Sequence, residues 1–430
     1  MIAPMLLLTL VGPVNAIQQE EPERPAETRQ EFLRLARERK RSEVRPPEQS
    51  QVEKQFLKLD KAETPTIADW NWNGFYPRLA WPSRGSGAAL GVRYWQPDFL
   101  GPIDAAGAAF YSWRDYQHYD VQFGLMPHIG RQIPGRSWKG DDVYELGDRR
   151  PRLGNIPLYA TFRYRYLPEE DFYGIGPDAS LENRTSYLQK ETRFYLRTGV
   201  QLGRHVALGA TGGLQWNELG SGKSARYPSI ETLFDEANAP RLDDAPDYVR
   251  FGGQVFVDFR DEPGNPHRGL MVGASLERFD DREDGPGDFE RFGIDIRGFV
   301  PLGSRQRVLA LRSAVNIDRP ETDSRVPFFM QQSLGGSHTL RGFDSFRFRG
   351  EKLLLMQAEY RWEPVAFWEL LVFSDAGTVS AATSELDLST VEWDYGFGTR
   401  FKSYRDVVIR LEIAFSRETT RYYVRGSSSF

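Results

Sequence analysis

From Trp70 onward the chain changes character at every second residue. In Val249 to Arg260, Val249, Phe251, Gly253, Val255, Val257 and Phe259 alternate with Arg250, Gly252, Gln254, Phe256, Asp258 and Arg260. In Arg291 to Val300, Phe292, Ile294, Ile296 and Val300 oppose Arg291, Asp295 and Arg297. In Asp406 to Phe415, Val407, Ile409, Leu411, Ile413 and Phe415 oppose Asp406, Arg410 and Glu412. Leu158 to Tyr166 repeats the pattern, with Phe162, Tyr164 and Tyr166 against Arg163 and Arg165. Successive side chains of a strand point to opposite faces, so each segment has one greasy and one polar face.

Two architectures use such strands: a soluble sandwich and a membrane-spanning barrel. The polar faces here carry charges in nearly every segment, as a wet lumen does. The apolar faces often end in Tyr, Trp or Phe, as at a membrane interface. Candidate strands lie near 72–81, 88–96, 105–113, 118–126, 156–166, 191–202, 205–216, 248–260, 269–279, 290–300, 307–317, 353–362, 367–377, 393–402, 406–416 and 420–430. That is about 16, the even number that single-chain bacterial barrels show. The fold class is therefore all-β, a transmembrane antiparallel β-barrel. Short turns on one side and long loops on the other fit the spacing.

Composition removes the competitors. Past the N-terminus the sequence has no run of 18 apolar residues, which a spanning helix needs. With 28 Phe, 19 Tyr and 10 Trp, disorder is excluded for most of the chain. A net charge of −5 and the lack of a dense basic stripe argue against a nucleic-acid partner. Zero Cys excludes thiolate metal sites, cysteine nucleophiles and disulfides.

The ends differ from the middle. Met1 to Ala16 reads as a secretory signal, with the apolar core Met5 to Val11 and the cleavage site Val14-Asn15-Ala16. Ile17 to about Thr66 is rich in Glu, Arg, Lys, Gln and Pro. Residues 17–69 form a charged periplasmic linker in this reading. Phe32, Leu33, Leu35 and Ala36, or Val52, Phe56 and Leu59, could stripe short helices that dock in or under the barrel. The barrel then occupies 70–430. Its last segment puts Tyr422, Val424, Gly426, Ser428 and Phe430 on one face, so the chain stops on an in-phase aromatic.

The most specific stretch is Gln331-Gln332-Ser333-Leu334-Gly335-Gly336-Ser337-His338-Thr339-Leu340-Arg341-Gly342-Phe343, followed by Arg347-Phe348-Arg349-Gly350. It resembles the loop-six signature of the BamA/TamA-type outer-membrane assembly barrels, also called bacterial surface antigens. Asp258 to Gly269 looks like that family's strand-turn-strand ending in Pro-x-Arg-Gly. Phe172-Tyr173-Gly174-Ile175-Gly176-Pro177 looks like a third motif. Phe373-Ser374-Asp375-Ala376-Gly377-Thr378-Val379 and Gly396-Phe397-Gly398-Thr399-Arg400-Phe401 look like the closing-strand motifs. The order matches the family's across the barrel region.

The resemblance implies 16 strands with a long sixth loop folded into the lumen, in the bacterial outer membrane. Gly335, Gly336 and Gly342 permit backbone angles closed to other residues, so such a loop can turn back tightly. Leu340 and Phe343 flank the arginine of the motif. In relatives that arginine docks on acidic residues of the following strands. The matching positions here are Arg341, with Glu359 and Asp375 as lumenal acidic partners. Glu359 lies opposite the apolar Met356, Ala358, Tyr360 and Trp362, whereas Asp375 shares parity with Leu371 and Phe373. Relatives that insert or export proteins carry periplasmic POTRA domains, and residues 17–69 are too short for one. The resemblance also implies outer-membrane lipids, unfolded outer-membrane or exported proteins, and a separate periplasmic protein as partners.

Three functions compete at this point. The first is insertion or translocation of proteins through a weak lateral seam, since Arg421 to Phe430 contains Gly426 and three serines, poor strand formers. The second is a passive pore or structural surface barrel, plugged by loop six. The third is an outer-membrane enzyme. The five histidines, His118, His128, His205, His267 and His338, sit in no recognisable triad or metal arrangement, so no catalytic residue, metal or cofactor is assigned. Asp258, Arg260 and Asp261 read as structural charges beside the turn formers Pro263, Gly264, Asn265 and Pro266.

Overall fold

The computed structural model describes residues 73–80, 86–126, 156–262, 265–283, 285–365, 367–380, 386–402 and 407–425. The leader over 1–16, the segment 17–69, the Pro263-Gly264 pair and Phe430 lie outside these residues. In chain order the strands are β1 (Phe75–Ala80), β2 (Ala89–Leu100), β3 (Ile103–Ser112), β4 (Gln117–Leu125), β5 (Leu158–Phe172) and β6 (Thr185–Leu202). Next come β7 (Val206–Ser221), β8 (Tyr248–Asp258), β9 (Gly269–Asp281), β10 (Phe289–Leu302), β11 (Ser304–Pro320), β12 (Gln332–Leu334) and β13 (Phe348–Gly350). The last are β14 (Lys352–Val365), β15 (Trp368–Ser380), β16 (Glu392–Lys402), β17 (Val407–Phe415) and β18 (Thr420–Arg425).

Sixteen of these make one antiparallel sheet in chain order, from β1 to β11 and from β14 to β18. β12 and β13 pair only with each other, inside the connection between β11 and β14. The sheet is that of an outer-membrane barrel. Its outward face carries Val121, Phe123, Phe194, Phe251, Leu276, Ile296, Val372 and Phe397, all exposed. An apolar surface of that extent suits hydrocarbon, not water. The inward face buries Asp120, Arg163, Glu191, Arg250, Glu359, Arg361, Arg400 and Arg410.

Each of the sixteen expected segments contains a strand, and several strands run longer than the alternation shows. β6 begins at Thr185, six residues before the expected start. Thr185, Ser186, Tyr187, Leu188 and Gln189 are all buried. A stretch covered on both sides has no exposed face, so it leaves no period to read. The pair β12 and β13 was absent from the expectation for a different reason: three residues are too few to display a period.

At the short-turn end, the charges after β8 hold the chain's reversal. Arg260 donates from Nε and Nη2 to the two oxygens of Asp258, at 2.9 and 2.8 Å. Asp261 accepts from the backbone N–H groups of Glu262, His267 and Arg268 at 3.0, 3.0 and 3.1 Å. His267 Nε2 lies 2.8 Å from Glu363 Oε1, which also meets Lys402. The hydrogen bond to Glu363 raises the imidazole above its ordinary value, against burial and the nearby Lys402 charge. A raised pKa in the folded state adds stability below the unfolded value, about 6.5, and loses it as pH rises through the folded value. His267→Gln should therefore lower the thermal midpoint in mildly acidic buffer and leave it unchanged in alkaline buffer. Heat-modified gel mobility across a pH series measures this, and an equal loss at every pH would refute it.

Candidate functional site: loop six and its lumenal anchor

The connection between β11 and β14 is the sixth on the long-loop end of the sheet. It re-enters the molecule because of two glycines. Gly335 and Gly336 adopt φ of +114° and +90°, in the left-handed half of backbone space. A Cβ on Gly335 would lie 1.9 Å from the carbonyl oxygen of Asp344. That approach lets the N–H of Gly336 donate to Phe343 O at 3.1 Å. The N–H of Gly335 donates to Thr339 Oγ1 at 2.9 Å. The tip is thus a closed knot above the β12–β13 hairpin. Leu340 and Phe343 are fully buried and pack with Leu334, Phe348, Leu353, Leu355 and Val379.

The knot aims Arg341 at the inner wall. Its Nε and Nη2 donate to the two oxygens of Asp375, each at 2.7 Å. Its Nη1 donates to Glu359 at 2.7 Å and to Glu412 at 3.3 Å. Its guanidinium lies 3.5 Å from the centre of the Phe373 ring. The planar fork suits this work, because two parallel N–H groups match one carboxylate and leave the far edge for others.

The surrounding charges form one network. Glu359 Oε2 accepts from Arg361 at 2.9 Å and Arg400 at 2.7 Å. Arg400 also reaches Glu369 at 3.2 Å, and Arg410 lies 3.1 Å from Glu412. Four guanidiniums thus share Glu359, Glu369, Asp375 and Glu412, and every one of these eight side chains is at most 2% exposed. Asp394 faces Asp375 directly across the β15–β16 ladder. Charges removed from water are costly, so such a network favours one position for the loop more than it adds net stability.

Arg341, Glu359 and Asp375 therefore meet, and Glu412, Arg361, Arg400 and Arg410 join them. Parity alone could have named the additions, because each is a charge on the inward face of its strand. Asp375 shares its inward face with Leu371 and Phe373, at 3% and 5% exposure. These apolar residues do not mark the lipid side. Phe373 backs the Arg341 guanidinium, and both pack with Ala414 and Tyr423.

Loop six also grips the wall at both of its flanks. Tyr423 of β18 donates to the carbonyl of Arg341 at 2.8 Å, and Ser416 donates to that of Gly342 at 2.8 Å. Asp344 accepts from Tyr173 and Arg184, each at 3.1 Å, and pairs with Arg421 of β18. Arg347 forks onto Glu418 at 2.9 and 2.8 Å. The Gly176 N–H donates to Arg349 O at 2.7 Å, so the Phe-Tyr-Gly-Ile-Gly stretch meets the Arg-Phe-Arg-Gly stretch. One loop thereby links β5 and β6 to β18 across the interior.

The model of the Omp85 superfamily domain matches residues 158–423, more than half of the chain. The chain belongs to the Omp85 superfamily. An Omp85 barrel resides in the outer membrane of Gram-negative bacteria. Its fold is similar to that of BamA from Haemophilus ducreyi lacking POTRA domains 1–3, at 14% identity and a TM-score of 0.55. That alignment covers 82% of this chain and 68% of the other. CdiB from Escherichia coli is similar at 11% identity and a TM-score of 0.52, over 83% of this chain and 68% of that one. No curated protein sequence gives a significant match. The loop-six anchor is the most buried polar assembly described above in this Omp85 barrel.

Proposed function

We propose that this Omp85 barrel inserts or translocates other polypeptides at the outer membrane through a lateral seam between β1 and β18. The character of the two end strands carries the reading. Among the described residues each has six, the fewest in the sixteen-stranded sheet. Among the described residues no ladder joins them. Pro77, with no N–H to donate, sits in the uninterrupted β1–β2 register. Pro97, Pro168, Pro301 and Pro364, by contrast, coincide with register shifts. Sheets accept an unbulged proline on an edge strand.

An open edge offers backbone groups that lipid cannot satisfy. An incoming extended segment would satisfy them by adding a strand. Loop six then acts as a brace, holding β18 by Tyr423 and Arg421 while β1 stays free to part. Clients are unfolded outer-membrane or exported chains, and residues 17–69 are the attachment point for a periplasmic partner. No covalent chemistry enters this mechanism.

The chain has no cysteine, so engineered pairs report cleanly. Cysteine pairs placed along Phe75–Ala80 and Thr420–Arg425 lock the seam on oxidation. In liposomes, the reduced protein should speed folding of a urea-unfolded small barrel over empty vesicles, and the oxidised protein should not. Full activity of the crosslinked form would sink the proposal. Activity equal to empty vesicles in both states, with ion conductance that rises when loop six is deleted, would instead favour a plugged passive pore.

A further inference from the structure

The outer rim of the barrel holds a second polar site, which meets loop six through the Arg184–Asp344 pair. Arg114, Glu169, Asp171, Arg184, Ser186, Ser224, Arg226 and Tyr227 line a recess of about 210 Å³. These residues come from the β3–β4 turn, the facing ends of β5 and β6, and the β7–β8 connection. All lie on the long-loop end, which faces outward in such barrels.

The recess is built, not incidental. The β7–β8 connection is pinned to the strand ends by backbone bonds, Lys223 N to Pro168 O at 3.0 Å and Ser186 N to Pro228 O at 2.9 Å. Arg184 forks onto Asp171 at 3.1 and 2.8 Å and stacks on Tyr227, 3.9 Å from the ring centre. Arg114 reaches Glu169 at 2.7 Å. Arg184 and Arg114 thus hold carboxylates, whereas among the described residues Arg226 holds none; it is exposed and lies 5.3 Å from the Tyr227 ring centre. Lys223 adds a further cation at the edge, bonded to the phenol of Tyr166 at 2.6 Å.

Ser186 points to the missing component. It is 1% exposed, yet its hydroxyl has no hydrogen-bond partner. A buried hydroxyl normally has one. An anionic oxygen in the recess would accept from that hydroxyl and from Arg226. The level of the recess indicates the source of that oxygen. Trp113, beside Arg114, is 70% exposed and Tyr111 is 50% exposed, as expected of an aromatic girdle at the headgroups.

We infer that this recess binds the phosphate of an outer-leaflet lipid headgroup, with Arg226 and Ser186 as its direct donors. The proposal is independent of the seam and needs only the barrel and its orientation. A phosphomonoester carries about −1.5 to −2 charge and three acceptor oxygens, enough for both donors and a share of Arg114.

The test uses the full chain in phosphatidylcholine nanodiscs doped with bisphosphorylated lipid A or with its dephosphorylated form. Native mass spectrometry counts the retained lipid. Wild type should retain the phosphorylated form, and Arg226→Ala should retain it roughly tenfold less, equivalent to one lost charge-assisted contact. Ser186→Ala should weaken retention in the same direction without touching a charge. Both variants must keep the wild-type heat-modified gel shift. Equal retention of the two lipid forms would overturn the inference, as would indifference to both substitutions. Inorganic phosphate that displaces the lipid would support a phosphate site filled by a headgroup. Inorganic phosphate bound with no preference for phosphorylated lipid would assign the recess to the free ion and overturn the lipid source.

Discussion

Arg341→Ala should destabilise the barrel by about 3–5 kcal/mol, the usual result of removing one partner from a buried ionic group. The loss is large because three carboxylates lean on this one guanidinium, and Glu359, Asp375 and Glu412 are each fully buried. Loop six should loosen as well, since Arg341 is the loop side chain that ties it to Asp375, Glu359 and Glu412. Two readouts separate these effects. The heat-modification midpoint follows stability. Trypsin added outside follows the loop, because Arg347 and Arg349 are 3% exposed in the docked state and become cleavable once it leaves. Arg341→Lys should fall between, since an ammonium cannot fork onto Asp375 and reach Glu359 together. An alanine variant with the wild-type midpoint and the wild-type digest would show that the network holds the loop without its arginine.

Gly335→Ala should be nearly as damaging, through geometry alone. The new methyl would stand 1.9 Å from the Asp344 carbonyl oxygen, in a backbone conformation of φ +114°. Backbone must move, and the β12–β13 register must move with it. The expected cost is about 1–3 kcal/mol for the strained conformation, plus the contact. Gly203→Ala makes the control, because its φ of +67° is also left-handed but nothing lies within 4 Å of the added methyl. Hydrogen exchange should accelerate at Phe348–Gly350 in the first variant and stay unchanged there in the second. Equal behaviour of the two would mean that the close approach at Gly335 is not what folds the tip.

The alternation carried the fold a long way. In Val249 to Phe259 the greasy parity is the outward parity, and the same holds for β10, β14 and β17. The rule weakens wherever both faces are covered. Leu371 and Phe373 look lipid-facing by type, yet they point inward because loop six supplies an apolar and cationic surface for them. Thr185 to Gln189 fell silent for the same reason. The arginine of loop six and its two acidic partners came from motif resemblance, not from periodicity. Glu412 and Arg400 were visible as inward charges but could not be tied to Arg341, because nothing local in a strand says what a distant loop will bring to it. Tyr423 was harder still. Its hydroxyl serves a backbone carbonyl 82 residues away in sequence, and an aromatic near a barrel's end is ordinary.

The Arg341 anchor also sets an order of events during folding. Its carboxylates come from β14, β15 and β17, and Arg400 on β16 ties them together. A slip of one residue in any of those strands would turn its charge toward the lipid. The loop can therefore seat only after four consecutive strands are all in register, although it is synthesised before every one of them. Docking of Arg341 is then a late, all-or-none step that inspects the strands made after it. A mispaired C-terminal strand would leave the loop hanging outside, where proteases could find it.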